Sequence, residues 1–265
     1  MEHGLVEWVT FGAFVLGMLA LDLGIFHRRD HVLRAREALA WSAVWIALAL
    51  AFGGWVWLRH GSASGLEYLT GYVIEKSLSV DNLFVFVVIF GALGIPPLYQ
   101  HRVLFWGILS ALVLRGAMIG AGAALLERFH WVVYVFGGFL VLTGVKLALQ
   151  RDAAPHPERS AAFRLLARVV PGTPRLDGHR FFTAEGGRRL ATPLFFALVV
   201  IELSDVVFAV DSIPAIFAVT RDPYIVFTSN VFAILGLRSL YFLLAGAVAR
   251  FTYLRPSLAA ILVFV

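Results

Sequence analysis

Seven apolar runs, each long enough to cross a bilayer, constrain this chain more than any other feature: Leu5–Phe26, Leu39–Leu58, Leu66–Leu93, Val103–Leu126, Trp131–Leu149, Ala191–Val219 and Tyr224–Ala249. A helix needs about 20 residues to cross a hydrocarbon layer roughly 30 Å thick. Inside lipid only helices and closed barrels satisfy every backbone amide, and runs of this length are helical. An all-α, polytopic transmembrane bundle is therefore the expected fold. Composition agrees. Sixty per cent of the 265 residues are hydrophobic and 15% are charged, too few polar groups to cover a water-soluble domain of this size.

An eighth run, Leu254–Val265, holds twelve residues. At 1.5 Å per residue it reaches about 18 Å, short of a full crossing, so the expectation is a last helix cut within its length. At the other end, Met1-Glu2-His3 supplies no basic leader, and Leu5–Phe26 reads as a span and not as a removable signal. The basic cluster follows that run. With the N-terminus outside, inner loops carry fifteen Arg and outer loops three (Arg59, Arg128 and Arg221). That asymmetry predicts an N-out topology. The formal charge of +5 thus belongs to orientation and implies no nucleic acid.

The chain divides into Leu5–Leu58 (two spans), Leu66–Leu149 (three spans), a basic loop Gln150–Leu190, and an incomplete unit from Ala191 to Val265. Four prolines (Pro155, Pro157, Pro171 and Pro174) interrupt the loop. Within it, Arg159–Val170 has the pattern of a short interfacial helix or, equally, of an ordinary solvated linker helix. The two three-span units resemble each other. EKSLSVDNL (Glu75–Leu83) lies over DVVFAVDSI (Asp205–Ile213), and Leu114-Arg115-Gly116 over Leu237-Arg238-Ser239. An odd number of spans per unit makes the repeats inverted. In secondary transporters such repeats face each other across a midplane site.

Charges inside the spans carry the chemistry. Each costs roughly 2.5–3.5 kcal/mol at the bilayer centre on insertion scales, so they are kept for a reason. Glu75, Lys76 and Asp81 share the third span; Glu202, Asp205 and Asp211 share the sixth; Asp22, Arg115, Lys146 and Arg238 lie in or near others. Six acids face four bases, an excess that one divalent cation or two protons would neutralise. Carboxylates, with Asn82 and Ser212 beside them, suit the hard cations Mn²⁺, Mg²⁺ or Ca²⁺. Cysteine is absent and no His falls at mid-span, which disfavours thiophilic metals, Zn²⁺ and Cu²⁺. The alternative use of these acids is structural: Glu75 or Asp81 paired with Arg115, and Asp211 with Arg238. Residues six apart on a helix stand about 120° apart around its axis, so neither Glu75 with Asp81 nor Asp205 with Asp211 can grip one ion unless the helix unwinds. Pro214 predicts a break beside Asp211, and the serines around Leu78 a relaxation of the third span. No HExxH, GxSxG or P-loop pattern is present, and no enzyme is expected.

Three segments, EKSLSVDN (Glu75–Asn82), TPLFFALVVIELSDVVFAVDSIPA (Thr192–Ala215) and TSNVFAILGLRSLY (Thr228–Tyr241), resemble the hallmark motifs of the TerC family, a likeness running from Leu21 to the last residue. The resemblance implies an inner-membrane manganese exporter of a family named for tellurium resistance, exchanging Mn²⁺ against protons. It implies metal-binding roles for Glu75, Asp81, Asp205 and Asp211, with Asn82, Ser212, Glu202, Asp22, Lys76, Arg115 and Arg238 in support. Family members continue past the eighth span, where the counterpart of Gly144-Val145-Lys146 in the second repeat would fall. Two other expectations remain: a small-solute or proton pathway in which the acids only titrate, and a membrane scaffold acting through the basic loop.

Overall fold

In the computed structural model, residues 4–26, 35–129, 131–149, 166 and 168–245 are described, the side chains of 22–26, 81, 144 and 146–149 excepted. They form α1 (Leu5–Phe26), α2 (Ala35–His60), α3 (Ser62–Ala92), α4 (Pro97–Arg128), α5 (Val132–Leu149), a hairpin of β1 (Phe182–Glu185) and β2 (Arg188–Ala191), then α6 (Pro193–Val219), α7 (Pro223–Leu235) and α8 (Leu237–Ala245). The chain is an all-α membrane protein with one small hairpin. By length and composition α2, α4, α6 and the joined α7–α8 can each cross a membrane, and α1 and α5 hold shorter apolar stretches. α3 is long enough at 31 residues, but its charges interrupt the apolar character.

Local chemistry sets the helix ends. α4, α6 and α7 each open on proline, whose missing amide costs nothing in the first turn. Asp222 caps α7 by accepting from the Tyr224 amide at 3.0 Å. α3 closes on Gly94 in the left-handed region (φ 61°), and the Ile95 amide reaches back to the Phe90 carbonyl at 2.9 Å before Pro96 and Pro97 turn the chain.

α3 is the central post. It packs against α2, α6 and α7, while α4 packs on α6 and α7, α5 on α6, and α8 on α2. Gly71 permits a close approach of α3 to α6 and α7: a Cβ there would sit 2.9 Å from Ser229 Oγ and 3.2 Å from Ile216 Cγ2. Two apolar clusters fill the bundle, one around Tyr68, Leu83, Phe90 and Phe232, the other around Ile119, Leu140, Ile213 and Ile216. Outside, Val113, Tyr134, Leu142 and Val207 stand more than half exposed. A continuous apolar exterior of that kind faces hydrocarbon.

Three local expectations need correction. α6 runs unbroken through Pro214, and α3 runs unbroken past Leu78. A bundle tolerates an internal proline where neighbours support the freed carbonyl. The break falls instead in the seventh span, at Gly236 between α7 and α8. The basic loop also holds a hairpin that its interfacial-helix reading omitted. Gly186 and Gly187, at φ 58° and 78°, form the two-residue turn that a hairpin with the natural strand twist demands. Its register pairs Phe182 with Ala191 and Glu185 with Arg188. The hairpin leads directly into α6 and docks on the start of α4, where the His179 ring meets Tyr99 edge-on at 4.9 Å and Arg102 lies 5.3 Å over Phe181. Most of the Arg159–Val170 helix lies outside the described residues, as does the run from Leu254.

Candidate functional site

Near the middle of α4, Arg115 is 1% exposed, and a guanidinium in that position must find anions. It finds two, on two other helices. Asp205 of α6 accepts a two-pronged contact, Arg115 Nε to Oδ2 at 3.1 Å and Nη2 to Oδ1 at 2.7 Å. Glu75 of α3 pairs with Arg115 Nη1. The planar guanidinium suits this double grip, which a lysine cannot reproduce.

Asn230 of α7 closes the ring. Its Oδ1 accepts from Arg115 Nη1 at 3.1 Å, and its Nδ2 donates to Glu75 Oε2 at 3.1 Å. Ser79, one turn after Glu75, donates to Glu75 Oε1 at 3.4 Å. Four helices are thereby laced by one buried network whose formal charge is −1, from two carboxylates and one guanidinium. Glu75 and Asp205, which the sequence aligned across the two units, do converge. They converge on Arg115.

Lys76 points to another side of α3 and donates to the Ala233 carbonyl at 3.0 Å. That carbonyl stands at the C-terminal end of α7, where the break removes the next helical amide and the helix dipole favours a cation. Gly236 makes room for the contact: a Cβ there would come within 3.0 Å of Lys76 Nζ and 3.1 Å of Trp45 Cβ. The ammonium therefore braces the interruption of the seventh span.

A second group of oxygens behaves differently. Asn82 Oδ1, Ser212 Oγ and both oxygens of Glu202 are sealed from solvent and accept or donate no hydrogen bond among the described residues. Ser110 stands close to Glu202 but donates to the carbonyls of Trp106 at 2.7 Å and Gly107 at 3.3 Å. Asn82 and Ser212 are each followed or preceded by the acids that the sequence singled out: Asp81 sits within α3 with its side chain outside the described residues, and Asp211 is half-buried on α6. Asp22 lies in α1, its side chain likewise outside them, and Arg238 is buried on α8. No three His, Asp or Glu side chains converge into a preformed metal cage among the described residues.

Asn230 and Ser79 were missed by sequence reasoning, although both are polar residues interrupting apolar runs. That signal was available: an amide at mid-span is expensive unless it bridges charged partners.

A bundle of helices long and apolar enough to cross the membrane repeatedly, with a charged, hydrogen-bonded centre, defines an integral membrane protein. The sequence matches the model of the Integral membrane protein TerC family over residues 60–265, and the chain belongs to that family. It is 66% identical to "Uncharacterized membrane protein STKORF319" of Myxococcus xanthus, across 97% of this chain and 81% of that protein. It is 47% identical to the Escherichia coli K12 protein named "Putative membrane-bound redox modulator Alx", across 97% and 83%. A membrane protein of Rickettsia bellii is 41% identical over 98% and 86%. No solved structure matches the chain.

Proposed function

We propose that this protein carries a hard divalent cation, Mn²⁺ first and Ca²⁺ or Mg²⁺ second, across the bacterial inner membrane in exchange for protons, with its N-terminus outside. The observation that carries the reading is that oxygens of Asn82, Ser212 and Glu202 are each sealed from solvent without a hydrogen bond among the described residues, Glu202 and Ser212 about 15 Å apart along α6, so that they mark points along a path and not one cage. Buried polar atoms are nearly always paired, so an unpaired group of acceptors marks a place where something else supplies the positive charge. Asp81 and Asp211 adjoin two of these atoms in sequence and add the charge that an ion of two positive units requires. The all-oxygen donor set favours Mn²⁺, Mg²⁺ and Ca²⁺; preference for Mn²⁺ rests on the family resemblance.

Glu75 and Asp205 take a different part in this reading. Their carboxylates are engaged by Arg115, so they hold the two halves in register, and they become ligands only in a state where that contact opens. The inverted relation of the two three-span units supplies a pair of such states, one open to each side. No enzymatic step is involved. A thiol-based redox role has no carrier in these 265 residues, which contain no cysteine.

Proteoliposomes test the proposal. Mn²⁺ flux that is abolished by Asp81→Asn or Asp211→Asn, with the purified variants still monodisperse, is the expected result. Proton flux that depends on the acids but not on metal would replace the cation with a small solute or protons alone. Activity lost on deleting residues 150–190, with both acid variants fully active, would favour a scaffold.

A further inference from the structure

α1 stands apart from the rest of the bundle. It reaches its neighbours through rings, with Phe11 against Phe52 at 5.4 Å and Trp8 against Tyr224 at 5.1 Å, and among its described side chains Phe11, Val15 and Leu19 are the buried ones. Between α1, α2 and α7 this leaves a crevice of about 550 Å³. Its α1 wall runs from Val6 to Phe14, a length of about 12 Å, close to the roughly 15 Å of hydrocarbon in one leaflet. Aromatic and aliphatic side chains form most of the crevice, with Phe11 and Phe52 in ring contact along its floor. Away from the rim a water finds few polar partners, whereas an acyl chain finds mostly carbon.

The rim is not apolar. Arg59, in the last turn of α2, and Glu7, in the first turn of α1, both line the mouth. Arg59 is exposed and Glu7 half-buried, with the imidazole of His60 3.6 Å from Glu7. One positive and one negative group at the mouth of a leaflet-deep slot complement a headgroup that carries a phosphate and an ammonium. We propose that the α1–α2–α7 crevice binds one zwitterionic phospholipid, an acyl chain lying along the touching rings of Phe11 and Phe52, its phosphate on Arg59 and its ammonium at Glu7. The guanidinium can hold two phosphate oxygens at once. The lipid then completes the packing of α1 that the protein leaves open.

The full chain, purified in mild detergent, is analysed for bound lipid by native mass spectrometry with phosphatidylethanolamine and phosphatidylglycerol offered in equal amounts. One phosphatidylethanolamine per protein is expected. Arg59→Glu lowers its retention about tenfold, the effect of losing one charge-assisted contact, and Thr10→Trp, which fills the slot, abolishes it. Size-exclusion profiles matching the parent show that both variants fold. Should either fold poorly, a photoreactive phenylalanine analogue at Thr10 in the otherwise unchanged chain gives the decision, with an adduct to lipid expected. Preferential retention of phosphatidylglycerol, equal retention by parent and Arg59→Glu, or an adduct to another segment of protein in place of lipid would each overturn the proposal.

Discussion

Two layers of polar side chains share the helices α3 and α6, and they are finished in opposite ways. Around Arg115 each guanidinium nitrogen meets an acceptor: Glu75, Asp205, Asn230 and Ser79 close a buried network. Elsewhere on the same helices, Glu202 about 4.5 Å before Asp205 along α6, and Asn82 and Ser212 each about 10.5 Å beyond Glu75 and Asp205, present oxygens with no hydrogen bond among the described residues. Residue types are nearly the same in both layers. Completeness of pairing separates them, and it separates their roles. A saturated buried network gains nothing from an added ion and resists removal of any member, because each loss strands a charge. An unsaturated set costs stability until a cation or proton arrives, which makes it a transit point and not a brace.

The sharpest attempt to break this contrast removes Arg115. Arg115→Met leaves Glu75 and Asp205 facing each other without compensation, and a loss of about 3–5 kcal/mol is expected, seen as collapse of the thermal unfolding midpoint in detergent. A midpoint within a degree or two of the parent would mean that the saturated layer is not structural. Next in size, Lys76→Met strips the ammonium from the Ala233 carbonyl, a charged hydrogen bond of about 1.5–3 kcal/mol. Hydrogen exchange should rise around Ala233–Leu237 and stay level in α4; unchanged exchange there would remove Lys76 from the break.

The unsaturated layer should respond the other way round. Glu202→Gln deletes a carboxylate that nothing among the described residues pairs, so stability should hold or rise by about 1 kcal/mol while Mn²⁺ flux falls at least tenfold. Loss of stability without loss of flux would merge the two layers into one. Smallest of all in stability is Ser212→Ala. Removing an unpaired hydroxyl should shift unfolding by less than about 0.5 kcal/mol, with calorimetric Mn²⁺ affinity measurably weaker. Equal affinity would drop Ser212 from the ion path.

Much of this protein can be read from its residues in order. Apolar runs of about 20 residues locate the helices because lipid leaves backbone amides no other partner. The mid-span acids announce themselves by their insertion cost, and Glu75, Asp205 and Arg115 were all singled out on that ground. Their pairing was legible only in part: Glu75 was named as one of two acids for Arg115 and does pair with it, whereas Asp205 was not named. Arg115 lies 90 positions from Asp205 and 40 from Glu75, and no local pattern says which acid a buried guanidinium will choose. A break was expected in the sixth span beside Pro214, by the strength of proline as a local rule; that helix runs on, and the interruption falls in the seventh span at Gly236, where Lys76 and Trp45 from other helices press. The hairpin at Gly186-Gly187 was legible and went unread.

Sequence by itself determined that the chain enters lipid, where its helices run, and which charges it keeps at depth, since those follow from the free energy of placing each residue type in hydrocarbon. Tertiary structure alone decided which of those charges are neutralised and which are left waiting. Pairing depends on distances of about 3 Å between helices remote in the chain, and only packing brings them that close.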